Sequence, residues 1–314
     1  MPELLLLIVG VVLIVWGAEL FAEHLAAASA RLGVSAFALA VLLAGAEPEE
    51  LATAISAGVR DVPAVAFGDV IGANVAICLV ALAVGAVLAP LPFPPRVRRY
   101  ALLALPTGLL AVAFAWDGSV GRTEGALLVA AYIAYVATIW VRERRPPSLG
   151  ETAEIEEALE SGASGRVGHE LVLVLVGTLA IVVGATVLVE AVRRFTSVEA
   201  DQARLSVTLV GFATAFELVV LAWSTARRGM SEAVVAAVVG SYAYNSTMTL
   251  GAAALITPLR LGDVSPLQVP MVAMVLSLVV VLALAARRRG RLDRSDGFVL
   301  LAGYVGFIGV ALLV

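Results

Sequence analysis

The stretch Leu42–Thr53 reads LLAGAEPEELAT and sets Glu47, Glu49 and Glu50 within four residues of one another, between long runs of Leu, Val, Ala and Ile. A further acid, Glu217, stands in a second apolar segment, and an offset of 167 residues carries Glu50-Leu51 onto Glu217-Leu218. A carboxylate at the centre of a membrane helix costs about 2.5–3.5 kcal/mol even on the lenient insertion scale, so such acids face a cavity and take a cation or a proton as partner. Two repeat-related carboxylates converging on one point would make a site of formal charge −2. Hard oxygen ligands of that charge suit Ca2+, sodium ions or protons. A lone Glu can equally be protonated and hydrogen-bonded within a helix bundle; the matched pair favours the ion site. Glu47 and Glu50 are three residues apart and share a helix face. Two poorly hydrated carboxylates so close cannot both stay ionised cheaply, so one is expected to hold a proton that a divalent cation would displace.

The elements that must position these acids are transmembrane helices. The chain has 314 residues, of which 61% are hydrophobic and 15% charged, with a mean hydropathy of +0.99. That is too apolar for a soluble domain of this length. Ten segments are long enough to span a bilayer: 3–29, 35–58, 64–89, 98–115, 122–141, 169–193, 203–227, 232–256, 267–286 and 296–313. The first lacks a basic region before it and a cleavage site after it, so it reads as a spanning helix and not a signal peptide. The single cysteine, Cys78, allows no disulfide within the chain and reads as a small core residue. All 21 basic residues are Arg. Fifteen of them fall in loops after odd-numbered segments, which places those loops in the cytoplasm and both termini outside.

Between the fifth and sixth segments lies a polar, Gly-, Ser- and Pro-rich linker, Arg142–Gly168, in which Thr152–Leu159 could form a short helix with a solvated acidic face. The expected organisation is therefore residues 1–141, a cytoplasmic linker 142–168, and residues 169–314. The halves repeat. The offset of 167 carries Trp16-Gly17-Ala18 onto Val183-Gly184-Ala185 and Glu23 onto Glu190; at 168, Gly72-Ala73-Asn74 meets Gly240-Ser241-Tyr242. Five helices per copy is an odd number, so the second copy enters the membrane from the opposite side. Inverted repeats of this kind are common in secondary transporters, whose ion sites lie near the midplane beside interrupted helices. The interruptions are expected at 42–51 and 210–218. The acids Glu19 and Glu23, at i and i+4 on the first segment, could line an entry path or make structural hydrogen bonds.

At this point the chain resembles the cation/calcium antiporter superfamily, which includes the sodium/calcium exchangers. Its two α-repeats read approximately G-T-S-x-P-E-L and, about twenty residues later, G-N-x-x-G-S-N. Here the first copy gives Gly45-Ala46-Glu47-Pro48-Glu49-Glu50-Leu51 and Gly68-Asp69-Val70-Ile71-Gly72-Ala73-Asn74, and the second gives Phe212-Ala213-Thr214-Ala215-Phe216-Glu217-Leu218 and Ala236-Ala237-Val238-Val239-Gly240-Ser241-Tyr242. The resemblance implies an all-α integral membrane protein of ten helices in two inverted five-helix repeats. It implies an antiporter and not an enzyme, working by alternating access, in which the first and sixth helices slide across the core. Glu50 and Glu217 match the family's two central ion ligands, Thr214 a hydroxyl ligand before the second of them, Ser241 the serine of the second G-S-N, and Asn245 a polar ligand four residues on. The implied cargo is Ca2+ exchanged for Na+ or H+, with no tightly bound cofactor. The implied partners are inorganic cations and the lipid bilayer of the cell membrane, with no nucleic acid.

The chain departs from the pattern at several ligands. Ala46-Glu47 replaces the first Thr-Ser, Ala73 replaces a serine, Ile77 a polar ligand, Ala213 a threonine, and Phe216 the second helix-breaking proline. Pro48 lies one position early, so Glu49 competes with Glu50 as the Pro-Glu acid; Glu50 keeps the register, and Glu49 is expected to face elsewhere on the helix. Neutral oxygens have been lost while the acids Glu47 and Asp69 have arrived, which points to proton coupling or an altered stoichiometry. Asp69 could restore the oxygen lost at Ala73 and Ile77, or sit solvated at a helix mouth. The alternative function is a divergent exchanger-fold protein that moves another cation or none. An intramembrane aspartyl protease is disfavoured, since Ala66-Phe67-Gly68-Asp69 lacks half of that motif, and no segment resembles a channel filter.

Overall fold

The computed structural model describes residues 2–31, 46–143, 167–228 and 231–313. The acidic stretch Thr152–Leu159 lies outside the described residues, as do residues 42–45 of the interruption expected at 42–51. Ten helical elements follow in order among the described residues, eight of them long and apolar enough to cross a membrane. They are α1 Pro2–Arg31, α2 Pro48–Val59, α3 Pro63–Leu88, α4 Pro95–Ala115, α5 Arg122–Glu143, α6 Val167–Phe195, α7 Glu199–Arg228, α8 Ser231–Ile256, α9 Ser265–Arg287 and α10 Arg294–Leu313. Four two-residue strands, β1 Leu91–Pro92, β2 Ser119–Val120, β3 Leu259–Arg260 and β4 Arg291–Leu292, lie in the loops. The apolar runs make helices because a span without water must satisfy its own backbone hydrogen bonds. Prolines open α2, α3 and α4 at the first helical turn, where the missing N–H has no partner to lose.

The inverted repeat is visible element by element. Helix α3 carries a π-helical segment at Ile77–Ala81, and α8 carries one at Asn245–Thr249, 168 residues later. Strand β1 pairs antiparallel with β4, and β2 with β3. The offset of 168 takes β1 onto β3, so one ribbon is the image of the other. Each ribbon joins one loop from each copy: the loops after α3 and α9 meet in the first, those after α4 and α8 in the second. Cys78 is fully buried within the α3 π segment, as expected of a core residue.

Glycines set how closely the copies approach. Helices α1 and α6 cross antiparallel, with Gly10 against Gly184 and Gly17 against Gly177. These two contacts are images of one another at the offset of 167, and a Cβ at Gly17 would stand 2.8 Å from the Gly177 carbonyl oxygen. Small residues at such crossings let helix backbones touch where no hydrophobic effect drives association. The tighter crossing is between α3 and α7. A Cβ at Gly72 would lie 2.2 Å from the Val207 carbonyl oxygen, and one at Gly211 would lie 2.7 Å from the Gly72 Cα. This backbone-on-backbone contact presses the first repeat onto the second and flanks Asp69.

One interruption is complete within the described residues. Helix α7 stops at Thr214, Ala215 turns the chain with ψ of −7°, and the helix restarts at Phe216. The break falls inside the expected 210–218 and forms without a proline. At the other copy, Glu47 is extended, with φ −119° and ψ 88°, and α2 begins at Pro48. The clash between a proline ring and the preceding residue pushes that residue out of the helical region. Pro48 therefore fixes where α2 starts and turns the Glu47 backbone out of the helix.

The α3–α7 crossing is predicted to tolerate no side chain. Gly72→Ala should lower the thermal unfolding midpoint of the detergent-solubilised protein by an amount matching about 1–3 kcal/mol of overpacking. Gly306→Ala, where a Cβ has no atom within 4 Å, should leave the midpoint unchanged.

Candidate functional site

The start of α2 buries its three acids together. Glu47, Glu49 and Glu50 are each at most 2% exposed. One carboxylate oxygen from each lies within 4.8 Å of the others. Glu49 and Glu50 occupy the first turn of α2, where the unsatisfied N–H groups and the positive end of the helix dipole offset part of the cost of a buried negative charge. Glu49 thus belongs to the cluster and does not face elsewhere. The extended Glu47 upsets the simple helical spacing: with Pro48 as the first helical residue, Glu47 folds back over the turn that holds Glu49 and Glu50. Counted from their helix starts, Glu49 and Glu217 hold equivalent places, because Pro48 and Phe216 each open a helix. The Pro-Glu dipeptide was the signal for Glu49.

Asp69, on α3, is fully buried and close enough to Glu49 and Glu50 to repel both electrostatically. It is not a solvated acid at a helix mouth. Four acids thus crowd one buried region, and Glu49 and Glu50 make no ion pair among the described residues.

The polar partners come from the second repeat. The Thr214 hydroxyl, at the end of the first half of α7, donates to Asp69 Oδ1 at 2.8 Å. The Ser241 hydroxyl, on α8, donates to Glu47 Oε1. Asn245 Nδ2, which opens the α8 π segment, reaches Glu50 Oε1 at 3.5 Å. A π segment displaces side chains from the regular helical register, and such segments recur at functional sites. The two acids absent from the family pattern, Glu47 and Asp69, are therefore the ones bonded to the two retained hydroxyls. Each bond runs from one repeat to the other. A hydroxyl that donates its hydrogen to a carboxylate keeps its lone pairs free to face a cation.

Several oxygens remain unsatisfied. Both carboxylate oxygens of Glu49, Oε2 of Glu50, Oδ2 of Asp69 and Oδ1 of Asn74 are buried without a hydrogen-bond partner. Asn74 itself is anchored, its Nδ2 donating to Ser246 Oγ at 3.0 Å. Buried oxygens left in this state are costly unless protons or a cation complete them. Of the residues singled out in the sequence, the structure brings together Glu47, Glu50, Asp69, Thr214, Ser241 and Asn245. Glu217 sits half-buried in the first turn of the second half of α7, outside the 4.8 Å group of acids. Its helix packs on the later part of α3, as α2 packs on the end of α8.

The chain can be set beside known proteins. The family model for sodium/calcium exchanger proteins matches residues 3–141 and 169–313. Inner membrane protein YrbG of Escherichia coli strain K12 is 25% identical, with 97% of this chain and 95% of YrbG aligned. The sodium/calcium exchanger MaX1 of Methanosarcina acetivorans is 24% identical, with 98% and 97% aligned. The solved structure of the sodium-calcium exchanger NCX_Mj superposes with a TM-score of 0.61 at 19% identity, over 98% of this chain and 97% of that one. The match to the family model spans both halves and leaves out only residues 142–168 and the extreme ends. With its ten helices in two inverted repeats, this chain belongs to the sodium/calcium exchanger protein family of membrane cation antiporters.

Proposed function

We propose that the chain carries Ca2+ across the cell membrane by alternating access and exchanges it for Na+ or H+ at the cluster built around Glu50. The observation that supports this reading is the set of unsatisfied carboxylate oxygens on Glu49, Glu50 and Asp69, all buried. Hard oxygens in that number and charge suit a calcium ion, which accepts six to eight such ligands in flexible geometry. Glu47, Glu50 and Asp69 supply charge, and Thr214, Ser241 and Asn245 supply neutral oxygens. Glu217 serves the same site from the first turn of the second half of α7.

The coupling ion follows from electrostatics. Four neighbouring carboxylates cannot all stay ionised when no cation is bound, because each buried charge raises the cost of the next. Protons must therefore occupy the site when Ca2+ leaves, and protons must depart when Ca2+ enters. This supports H+ as the exchanged ion more strongly than Na+. The hydrogen bonds of Glu47 and Asp69 to Ser241 and Thr214 also argue for a working site over a decayed one, since the added acids and retained hydroxyls are matched across the repeats.

On this reading residues 1–141 and 169–314 are the two transport repeats. Segment 142–168 is a cytoplasmic linker, and both termini lie outside. The arginine distribution supports that orientation. The two ribbons agree with alternate spans, since one joins the loops after α3 and α9 and the other the loops after α4 and α8.

In proteoliposomes, Glu50→Gln and Glu217→Gln should each abolish calcium flux. Loss of a buried charge partner costs about 2–5 kcal/mol, so a residual rate above about one-thirtieth of wild type in either variant would remove that residue from the site. Calcium uptake should follow an imposed pH gradient. Uptake driven by an outward sodium gradient with pH clamped on both sides would instead establish sodium coupling. Ser241→Ala and Thr214→Val should each weaken calcium binding by about 1–3 kcal/mol through the carboxylate left without its donor, measured as a rise in the half-saturating calcium concentration.

A further inference from the structure

Glu190, near the end of α6, gathers three arginines. Arg194 Nε lies 2.8 Å from its Oε1, Arg193 Nε 3.4 Å from its Oε2, and Arg60 Nη1 3.2 Å from its Oε2. The first two belong to α6 itself. Arg60 is the residue that closes α2, so its bond ties α2 to α6 at one face of the membrane. Between those two helices runs a groove of about 520 Å3, lined among others by Pro48, Leu51, Ile55, Ile181 and Thr186 and ending at Arg60. Pro48, the first residue of α2 and the chain neighbour of Glu47 and Glu49, lines the same groove, so the Arg60–Glu190 pair sits beside a groove that runs along the helix carrying the acid cluster.

The repeat offset that carries Glu50 onto Glu217 and Gly17 onto Gly184 also carries Glu23 onto Glu190 and Arg60 onto Arg227. The chain thus holds the same pair of residues twice, on α6 with α2 and on α1 with α7. The second copy is not formed. The Arg227 guanidinium lies 4.8 Å from the centre of the Trp223 ring, and Glu23 is exposed and makes no ion pair among the described residues. The helices differ in the same sense: α2 packs along α6, whereas among the described residues the second half of α7 has no comparable packing on α1.

We propose that Arg60–Glu190 and Arg227–Glu23 are alternating gates at opposite faces of the membrane, and that this structure has the first closed and the second open. The proposal rests on the alternating-access reading above. In a transporter built from two inverted copies, the opposite-facing state arises when one repeat moves against the other around the fixed site, so an asymmetry between mates in one state is exchanged in the other. Moving Arg227 from Trp223 to Glu23 while Arg60 leaves Glu190 makes that exchange, with one ion pair broken and one formed. A partly exposed ion pair is weak, so each gate biases the equilibrium without locking it, as a cycle that must visit both states requires. Glu19, one turn before Glu23 on the same face of α1 and also exposed, lies along the passage that the second gate would close.

Paired cysteines test this. In a Cys78→Ala background, R60C/E190C and E23C/R227C are treated in proteoliposomes with a short, reducible, bifunctional thiol reagent. Each pair should cross-link in part of the population. Cross-linking should lower calcium flux at least about tenfold, because a gate that cannot open sets the rate, and reduction should restore the flux and exclude a folding defect. In the chain carrying all four cysteines, mass spectrometry should find one link or the other in each molecule. Both links in the same molecules at the frequency of independent events, no link at all between E23C and R227C, or unchanged flux after complete R60C/E190C cross-linking would overturn the proposal. Mutually exclusive links in a chain that moves no calcium would uphold the gates and reject the calcium reading alone.

Discussion

Everything in this molecule is arranged around the cost of four carboxylates held away from water. Glu47, Glu49, Glu50 and Asp69 are buried, and no cationic side chain pairs with Glu49 or Glu50 among the described residues. An apolar core would be cheaper, and a buried salt bridge would neutralise the charge permanently. The fold does neither. It lowers the cost in part, with the N-terminal turn of α2 and with hydroxyl and amide donors from α7 and α8; on the proposed reading the rest of the negative charge is left for mobile ions. A site neutralised by the protein itself could not exchange its occupant.

The second constraint is closeness. Donors from one repeat can reach acids on the other only if α3 and α7 touch backbone to backbone, and Gly72 and Gly211 permit that. Asp69 lies between Gly68 and Gly72, so the contact that joins the repeats also aims Asp69 at Thr214. The π segments at Ile77–Ala81 and Asn245–Thr249 occupy matching places in α3 and α8, yet only the second opens with a side chain that can ligate. The scaffold has kept its symmetry, while the chemistry has shifted toward acids in the first repeat and neutral oxygens in the second. The ion pair at Glu190 shows a further asymmetry: its mates Glu23 and Arg227 are not joined, and Arg193 and Arg194 beside Glu190 stand where the first copy has Ala26 and Ala27.

Much of this was legible in the residues alone. Apolar runs of bilayer length counted out ten spans, because a membrane leaves a helix few alternatives. The fixed offset exposed the inverted repeat, because equivalent helices need equivalent glycines and acids. The helix break near Ala215 was also expected, although no proline marks it; the repeat placed it. Glu49 was misjudged because helical spacing from Glu47 to Glu50 takes no account of an extended residue ahead of Pro48. A proline restricts the residue before it as firmly as itself, and reading that restriction strictly would have moved the start of α2 and brought Glu49 inward.

The sequence by itself determined the solvent, the number of helices, their inversion and the presence of an acid site, since each depends on local composition or on periodic identity along the chain. Only the tertiary structure decided which acid meets which hydroxyl. The bonds from Ser241 to Glu47 and from Thr214 to Asp69 cross 194 and 145 residues. They also pair residues that the repeat offset does not relate. Nor could the chain reveal that Arg60 holds Glu190 while the equivalent pair stands apart. Both copies encode the same two residues, and the difference between them lies in how one repeat packs against the other and in the neighbours, since Arg193 and Arg194 follow Glu190 where Ala26 and Ala27 follow Glu23.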